Sequence, residues 1–498
     1  MTRYFLGIDN GGTLSKAALF RTDGVEVASA SRKIEILEPR PGWSERSADR
    51  MWRDTAAAIR ELLESSAIDP AAILGVACTG HGNGLYLVDA GGRPVRNAIN
   101  SMDGRAADIA ARWKQDGTAA KALPMTAQCV WPAQPNALLC WLREHEPEAL
   151  ATAGAVLFAK DFVRLKLTGE TWAELTDMSG SSLMNVVSGH YDDAVLELFG
   201  ILDLKHLLPP IRKSHDLCGC VTPQAAAETG LCVGTPVAAG MFDIDACGLA
   251  SGIVDEEQMS LVSGTWGNNQ YIARAPLIDK DLFMTSCYSI PGWYLMLEGS
   301  PTSASNLEWF VAQILDGMPT PNGLSRYAHC DDLVAGLGEP SLDTPVFLPF
   351  LYGCNLPAPA PGAFVGLNGR HTRQEMLRAV YEGVVFSHFT HFKRLLQFRP
   401  APACIRFTGG AARSAVWVRM FADCFGIPIE IPAGSELGAL GAAIAAAVAI
   451  GHYSDYPAAV CAMTRIAQRC EPDPSRADIY QQKFSRYLAV ATALASIP

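Results

Sequence analysis

The sequence predicts a duplicated α/β fold in two domains, with a cleft between the two halves. The chain has 498 residues, which is too long for one ordinary domain. Near its start an apolar run leads into the turn Asp9 to Thr13, and a second apolar run follows from Lys16 to Phe20. The same order of strand, small polar turn and returning strand recurs between Met259 and Ala273. We therefore predict one domain over residues 1–254 and a second over residues 255–498.

The composition is that of a globular protein, with 49% hydrophobic and 18% charged residues. A formal net charge of −11 argues against a nucleic-acid or anionic-membrane surface, because both reward clustered Lys and Arg. The fourteen cysteines are dispersed along the chain, so we expect reduced thiols, mostly buried, rather than disulfides. The first strand begins almost at once, which predicts a cytoplasmic protein without a secretory leader. The apolar run Ala439 to Ile450 is too short for a bilayer span and predicts a closely packed helix.

The first turn has the features of a phosphate site. The adjacent glycines Gly11 and Gly12 allow successive backbone amides to point at one anion, and Thr13 adds a hydroxyl. Asp9 would repel a phosphate unless a divalent cation lies between them or a proton must be removed. A metal nucleotide would satisfy this group, although a plain hairpin turn explains the same residues.

The elements that follow depart from a dinucleotide-binding fold, because Asp23-Gly24 predicts a second hairpin where that fold has a helix. Helical spacing over residues 47–65 leads into a strand that ends in the glycine-rich loop around His81 and Gly82. A second strand end carries Asp103. Histidine and carboxylate together suit a polyhydroxylated ligand, although a histidine in such a loop is often an ordinary surface residue.

Two further places in the first half are candidates for chemistry. Trp131 precedes a predicted helix and could stack on a sugar or simply fill the core. The strand that begins at Val237 ends in Asp243 and Asp245, followed by a small-residue helix. Strand ends that face helices are where α/β sheets place ligands, so one of these acids is a candidate general base and the other a helix cap.

The second half offers neutral glycine-rich turns. Ser263, Gly264 and Thr265 form a small hydroxyl-rich turn that repeats the position of the first one. A buried strand from Ile405 ends in Gly409 and Gly410, where a flat ring or a phosphate can approach the backbone.

These turns, in this order, resemble the FGGY family of carbohydrate kinases, which is related to the actin and hexokinase fold. The resemblance covers nearly the whole chain. Its most specific part is Gly362 to Leu367 followed by Glu375-Met376 and Ala379 to Glu382. The stretches Thr408 to Ala411 and Glu436 to Ala443 resemble the adenosine-binding segment of the family. The resemblance implies a duplicated actin/hexokinase-like (ribonuclease H-like) ATPase fold, with a sugar-binding and catalytic-base domain followed by a nucleotide-binding domain.

The family also implies a role for each candidate residue. Asp9 would lie beside Mg²⁺, and Asp243 would be the catalytic base, with Asp245 in reserve. ATP would be held by residues of the turns and of the adenosine segment: Gly11, Gly12, Thr13, Lys16, Ser263, Gly264, Thr265, Gly409, Gly410, Ala411 and Ser414. The sugar would be held by His81, Gly82, Asp103, Trp131 and Asp243.

The substrate class follows from the same comparison. His81-Gly82 with the later Asp103 to Arg105 resembles xylulose kinases, and Thr79-Gly80 in place of Gln-Met resembles those that act on L-xylulose. The enantiomer stays open, and ribulose, glycerol and gluconate are alternative acceptors. A non-catalytic ATP-binding scaffold of the same fold is the competing class, and a sugar-sensing regulator is a third. The partners expected are a small sugar and ATP, without nucleic acid or membrane, and a homodimer is compatible with the family.

Overall fold

The strands build two sheets of the same design. A computed structural model describes residues 2–264, 266–321, 323–355 and 360–496. Within these residues the strands are β1 (Tyr4–Asn10), β2 (Leu14–Arg21), β3 (Glu26–Lys33), β4 (Glu45–Arg46), β5 (Ile73–Gly80), β6 (Tyr86–Val88), β7 (Ala98–Ile99), β8 (Ala155–Leu157), β9 (Ala173–Glu174), β10 (Met184–Asn185), β11 (His190–Tyr191), β12 (Ile211–Arg212), β13 (Leu217–Cys220), β14 (Pro236–Phe242), β15 (Gln258–Ser263), β16 (Gly267–Ala273), β17 (Met284–Cys287), β18 (Tyr294–Ser300), β19 (Val346–Leu348), β20 (Ala363–Val365), β21 (Cys404–Thr408), β22 (Ile429–Pro432) and β23 (Ile466–Cys470).

Helices occupy most of the remaining chain. Over the same described ranges they are α1 (Ala48–Ser66), α2 (Ala107–Gln115), α3 (Thr118–Thr126), α4 (Pro135–His145), α5 (Pro147–Thr152), α6 (Ala159–Thr168), α7 (Leu175–Ser179), α8 (Asp193–Leu198), α9 (Pro223–Thr229), α10 (Asp243–Ala250), α11 (Ser305–Gln313), α12 (Arg326–Ala335), α13 (Arg373–Leu395), α14 (Ala415–Phe425), α15 (Leu437–Ala449), α16 (Tyr456–Met463) and α17 (Ala477–Leu494). Short 3₁₀ turns cover Pro70–Ala72, Leu202–Leu207, Gly410–Arg413 and Pro474–Arg476.

The first sheet has the strand order β13-β14-β5-β1-β2-β3. Strands β1, β5 and β14 run parallel, whereas β2 and β3 form the antiparallel meander that the early hairpin residues predict. The register aligns the carboxyl ends of the parallel strands, since Asn10 lies opposite Gly80 and Gly80 lies opposite Phe242. Residues that follow these three strands therefore emerge at one edge of the sheet.

The second sheet repeats this plan, with the order β17-β18-β16-β15-β21-β22-β23. Its β15 is antiparallel to β16 and parallel to β21, as β1 is to β2 and β5. At the far side β22 is antiparallel to β23, as β14 is to β13. The predicted duplication of the α/β fold is thus confirmed, and β17 is a seventh strand without a counterpart in the first sheet.

The chain folds into two compact units. Unit 1 contains Met1–Val254, Ile272–Met296 and Gly434–Arg465, and unit 2 contains Asp255–Tyr271, Leu297–Ala433 and Ile466–Pro498. The first sheet and the last small-residue helix, α15, belong to unit 1. The functional labels that the sequence suggests for the two halves stay predictions.

Alternate residues of the central strand β1 face two different cores. Leu6 and Ile8 join the core beneath α1 and α6, whereas Phe5 joins the core beneath α10 and α15. The thin side chains of α15 allow it to lie directly on the sheet, because a Cβ added at Gly7 would lie 1.8 Å from the carbonyl oxygen of Ala439. The run Ala439 to Ile450 is therefore a buried helix, as predicted. Over the described residues no helix is long and apolar enough to cross a membrane.

All fourteen cysteines lie in the described residues, and none of them takes part in a disulfide. Seven are buried, five are partly buried and two, Cys220 and Cys461, are exposed. The expectation of reduced thiols is confirmed, and half of them, rather than most, are fully buried.

Candidate active site

Three parallel strands of unit 1 end side by side and bring the predicted acidic residues together. Asp9 stands one residue before the end of β1, His81 directly follows β5, and Asp243 directly follows β14. The negative charge of Asp9 raises the pKa of Asp243, after burial itself, which places the two carboxylates in one electrostatic environment. The edge of this sheet therefore joins residues that are far apart in the sequence.

Asp9 has a carboxylate that the protein leaves partly unsatisfied. Its Oδ1 atom is buried without a hydrogen-bond partner, although the residue as a whole is half-buried. A Cβ added at Gly438 would lie 2.5 Å from Asp9 Oδ2, so the first turn of α15 lies against this carboxylate. Burial raises the pKa of Asp9 to about 6, against the opposing effect of Lys16. A carboxylate oxygen that accepts no hydrogen bond from the protein is well suited to bind a cation.

The predicted phosphate turn is an exposed hairpin turn. Gly12 and Thr13 are exposed, and the amide of Gly11 donates to the carbonyl of Leu14 at 3.1 Å. The hairpin interpretation is correct, and the turn also leaves its tip open to a ligand. Lys16, opposite Asp9 in the antiparallel register, forms an ion pair with Glu436 at 2.9 Å. The roles of these residues in ATP binding stay predictions.

The two neighbouring acids of α10 have different environments. Asp245 is fully buried, and its Oδ1 accepts hydrogen bonds from the backbone N of Ser289 at 3.0 Å and from its hydroxyl at 3.2 Å. Asp243 is only half-buried and lies at the first position of the helix. Burial raises the pKa of both groups well above the ordinary range. Asp243 is therefore the acid that a substrate could reach.

A buried cluster of charges adjoins Asp243, and its chemistry was missed in the sequence. The ammonium group of Lys160 on α6 lies 2.8 Å from Asp177, 3.3 Å from Asp161 and 3.7 Å from Glu174. Burial lowers the pKa of Lys160, but the three carboxylates outweigh that effect and raise it. Burial raises the pKa of Asp177 to about 7, and the charge of Asp177 in turn raises the pKa of Asp243. The available signal was the charged pair Lys160-Asp161 within the otherwise apolar stretch from residue 155 to 163.

His81 is a buried neutral residue rather than a surface loop residue. Its Nε2 lies 3.1 Å from the hydroxyl of Tyr86, which also accepts a hydrogen bond from Arg46. Burial, followed by the positive charge of Arg46, lowers the pKa of His81 to about 3. A Cβ added at Gly82 would lie 2.8 Å from Asp177 Oδ1 and would collide with Phe242, so this loop approaches the charge cluster closely.

Asp103 is engaged by its own neighbours. Its Oδ1 accepts from the backbone and side chain of Arg105, both at 2.8 Å. Its Oδ2 accepts from the backbone N of Ser44 at 2.6 Å. Arg105 also lies over the ring of Trp43, with 4.1 Å between the guanidinium carbon and the ring centroid. The carboxylate thus braces two loops of unit 1, and its role in sugar binding stays a prediction.

Trp131 is half-buried and lies beside another aromatic residue. Its ring centroid is 6.2 Å from that of Phe283, and its backbone N donates to the side chain of Gln134 at 3.2 Å. The structure supports neither the stacking role nor the pure core role over the other.

In unit 2 the second predicted turn lies beside the glycine pair. Gly409 has φ near +93°, and a Cβ there would lie 2.4 Å from the carbonyl oxygen of Ser263. Ser263 ends β15 and Gly409 follows β21, and these two strands are parallel neighbours. Gly264 accepts a hydrogen bond from the amide of Ala304 at 2.9 Å. Thr265 lies outside the described residues.

The rest of the predicted adenosine segment is a short 3₁₀ turn followed by α14. Gly410 is exposed, and a Cβ there would meet no atom within 4 Å, whereas Ala411 is buried. Ser414 caps α14 by accepting from the amide of Trp417 at 3.1 Å, and its hydroxyl donates to Asp331 at 2.6 Å. The hydroxyl of Ser414 therefore has structural partners, and its contact with a nucleotide stays a prediction.

The donors present fit a magnesium nucleotide better than a tightly held metal. In the part of the chain that the structure describes, no group of three or more His, Cys, Asp and Glu side chains forms a metal cage. Mg²⁺ in nucleotide sites is bound through one or two carboxylates together with substrate phosphates. Asp9, with its unpartnered oxygen, fits that requirement.

Comparisons with known proteins cover nearly the whole chain. The model of the FGGY family of carbohydrate kinases matches residues 4–249 with its N-terminal domain and residues 259–450 with its C-terminal domain. The L-xylulose/3-keto-L-gulonate kinase of Escherichia coli K12 is 39% identical over 496 residues, which cover 99% of this chain and 98% of the relative. The xylulose kinase of the same strain is 30% identical over 454 residues, covering 89% and 90%. The crystal structure of xylulose kinase from Rhodospirillum rubrum superposes with a TM-score of 0.87, at 28% identity over 99% of each chain.

Proposed function

Because the chain belongs to the FGGY family of carbohydrate kinases, as its motifs predict, we propose that it phosphorylates the terminal hydroxyl of xylulose with ATP, giving the sugar 5-phosphate and ADP. The predicted fold class and kinase assignment are confirmed by these matches. The proposed chemistry rests on Asp243. This residue is half-buried and lies at the sheet edge that also presents Asp9 and His81.

We propose L-xylulose as the preferred enantiomer. Identity is higher to the kinase named for L-xylulose, at 39%, than to the xylulose kinase of the same bacterial strain, at 30%. The pair Thr79-Gly80 before His81 also favours L-xylulose. D-Xylulose, ribulose and the substrate 3-keto-L-gulonate named for the first relative are the alternatives to test.

Asp243 acts as the general base in the proposed reaction. It takes the proton from the terminal hydroxyl of the sugar while that oxygen forms a bond to the γ-phosphorus. The bond between the γ-phosphorus and the β–γ bridging oxygen breaks, ADP leaves, and the proton passes from Asp243 to solvent. Positioning and electrostatic stabilisation supply most of the rate in such transfers.

Asp9 would hold Mg²⁺, which supplies positive charge that offsets the charge of the phosphates. Its unpartnered Oδ1 supports this assignment. The turns at Gly11 to Thr13 and at Ser263 to Thr265 would provide donors for the phosphates, and Gly409 to Ala411 would adjoin the nucleoside.

On the proposed sugar side His81 is uncharged and Asp103 is paired with Arg105. This leaves Asp243 as the reactive acid. The lowered pKa of His81 keeps its ring neutral, and the ring bonds to the Tyr86 hydroxyl at 3.1 Å, so this residue adds no charge to the site. Such a group fits an uncharged ketose.

The direct test is ADP release by the purified protein with ATP, Mg²⁺ and a panel of acceptors. L-Xylulose, D-xylulose, D-ribulose, L-ribulose, 3-keto-L-gulonate, glycerol and gluconate form the panel. We expect the highest kcat/KM with L-xylulose. A higher kcat/KM with another acceptor would reassign the substrate, and the absence of stimulation by any acceptor would favour a non-catalytic scaffold. A homodimer and a cytoplasmic location stay predictions, which gel filtration and cell fractionation test.

A further inference from the structure

A chain of hydrogen bonds in unit 2 connects a buried histidine to the second predicted phosphate turn. His388 lies in the middle of α13, and its Nε2 is 2.8 Å from the hydroxyl of Ser303. That hydroxyl is 2.9 Å from the hydroxyl of Ser263, the last residue of β15. All three residues are at most 3% exposed. None of the sequence motifs points to this connection.

The donor and acceptor of each hydrogen bond in this series can be assigned by starting from Asn269, at the end away from Ser263. The side-chain amide of Asn269 donates through Nδ2 to the carbonyl of Glu298, so its Oδ1 faces His388 Nδ1, at 3.2 Å. Because an amide oxygen only accepts, Nδ1 must carry the hydrogen of the neutral ring. Burial, followed by His391, lowers the pKa of His388 to about 3, which agrees with a neutral ring.

The remaining hydrogens are then fixed in turn. His388 Nε2 is an acceptor, so Ser303 must donate its only hydroxyl hydrogen to it. Ser263 must therefore donate its hydrogen to Ser303. The hydroxyl of Ser263 is left with lone pairs alone, and it cannot donate to a phosphate oxygen while the chain is intact.

The same loop holds the turn at a second point. The backbone amide of Ala304 donates to the carbonyl of Gly264 at 2.9 Å, next to the bond between Ser303 and Ser263. The hairpin also lies directly on the histidine, because a Cβ added at Gly267 would be 2.9 Å from its Cε1 atom. The position of the turn therefore depends on α13 through the side chain of His388.

We infer that His388 is a positioning residue for the nucleotide, which fixes the Ser263-Gly264 turn through Ser303 and keeps the Ser263 hydroxyl from donating to the phosphates of ATP. This inference rests on the proposed use of ATP. His388 acts through another residue and is not itself a catalytic group.

The same helix supplies a matched control. One turn further along α13, His391 bonds to Ser300 through Nε2 at 2.7 Å and to Glu298 through Nδ1 at 2.9 Å. It is equally buried, and its hydrogen bonds do not reach Ser263 or Gly264, although Glu298 also accepts from Asn269 through its backbone carbonyl. His391→Phe therefore removes a comparable buried ring without releasing the turn.

The test measures ADP binding by calorimetry in the presence of Mg²⁺, together with the melting temperature, for the full-length wild type and its variants. We expect His388→Phe and Ser303→Ala each to weaken ADP binding about fivefold, the size of one lost hydrogen bond. The double variant should be no weaker than either single one, because both break the same chain. His388→Gln, whose amide oxygen can replace Nε2 as acceptor, should recover most of the affinity, and His391→Phe should bind ADP as the wild type does.

Each contrary result has its own meaning. Wild-type affinity in both His388→Phe and Ser303→Ala would overturn the inference while the proposed function stands. Equal weakening in His391→Phe, or no recovery in His388→Gln, would assign the effect to packing and would also overturn it. A wild-type protein that binds no ADP would remove the proposed function and the inference together.

Discussion

The two repeats share one strand plan but present opposite chemistry at the same edge. At the carboxyl ends of β1, β5 and β14 the first repeat presents Asp9, His81 and Asp243, with the cluster around Lys160 beneath them. At the corresponding ends of β15 and β21 the second repeat presents Ser263 and glycines. Its nearest buried polar groups are hydroxyls and a neutral histidine.

The difference shows how a duplicated fold can divide one reaction. In the proposed reaction, proton abstraction needs a carboxylate with a raised pKa, and metal binding needs a carboxylate oxygen without a hydrogen-bond partner. Asp243 and Asp9 of the first repeat have these properties. The proposed binding of phosphates and of the nucleoside ring needs glycine turns without added charge, and in the second repeat Gly409 packs against the carbonyl of Ser263. Because the sheet is the same in both, the specialisation depends on a few residues at the strand ends.

The largest expected effect tests whether the general base of the reaction is supplied by the first repeat. Asp243→Asn should lower kcat about a hundredfold to ten-thousandfold while the KM for ATP changes little, since only proton transfer is lost. Initial rates of ADP release with the preferred ketose measure it. Asp245→Asn is the control, because the amide oxygen can still accept from Ser289, and it should keep more than a tenth of the wild-type kcat. If Asp245→Asn showed the larger decrease in kcat, the general base would be reassigned to Asp245.

The next effect concerns the buried charge cluster around Lys160 in the first repeat. Lys160→Met should lower the free energy of unfolding by about 3–5 kcal/mol, because it leaves buried carboxylates without their cation. Urea unfolding followed by circular dichroism measures the loss. Lys166→Met on the same helix removes a half-buried lysine that lies over the ring of Phe162, and it should cost less than about 1 kcal/mol. Equal losses in the two variants would contradict the role of the buried cluster.

Sequence reasoning predicted the repeats well because their signals are local. Apolar runs broken by Asp9 to Thr13 and by Ser263 to Thr265 specify strand and turn in adjacent residues, and the strands appear at those places. The Ala-rich run of α15 was likewise interpreted correctly as a packed helix. These patterns depend on residues a few positions apart.

The sequence could not predict contacts that depend on distant residues. Lys160 and Asp177 meet because α6 and α7 pack beneath the same strand ends, and nothing local marks them as partners. His388 and Ser303 are 85 positions apart and join only in the folded unit. For the same reason the burial of His81, which leaves it neutral, was not expected from a glycine-rich loop.

A smaller effect tests the close backbone approach in the second repeat. Gly409→Ala should lower the free energy of unfolding by roughly 2–3 kcal/mol, since alanine resists φ near +93° and its Cβ would collide with Ser263. The KM for ATP should rise, while the KM for the ketose stays near its wild-type value. Gly410→Ala is the matched control for stability, because a Cβ there meets nothing within 4 Å and φ is not positive. Thermal unfolding and initial rates measure the pair, and equal stability of the two variants would contradict the argument.

The smallest expected effect is a gain in stability that depends on pH, at Asp9. Burial raises the pKa of this group from 3.8 to about 6 in the folded protein, so ionising it costs folding free energy. Ionisation of Asp9 therefore lowers the stability of the wild type as the pH rises from about 4 through 6, and Asp9→Asn lacks this contribution. At pH 8, without nucleotide or metal, the variant should be more stable by roughly 1–2 kcal/mol, although it loses activity if Asp9 holds the metal. At pH 4 the two proteins should unfold at nearly the same temperature. A difference in melting temperature that is constant between pH 4 and pH 8 would show that ionisation of Asp9 does not set it.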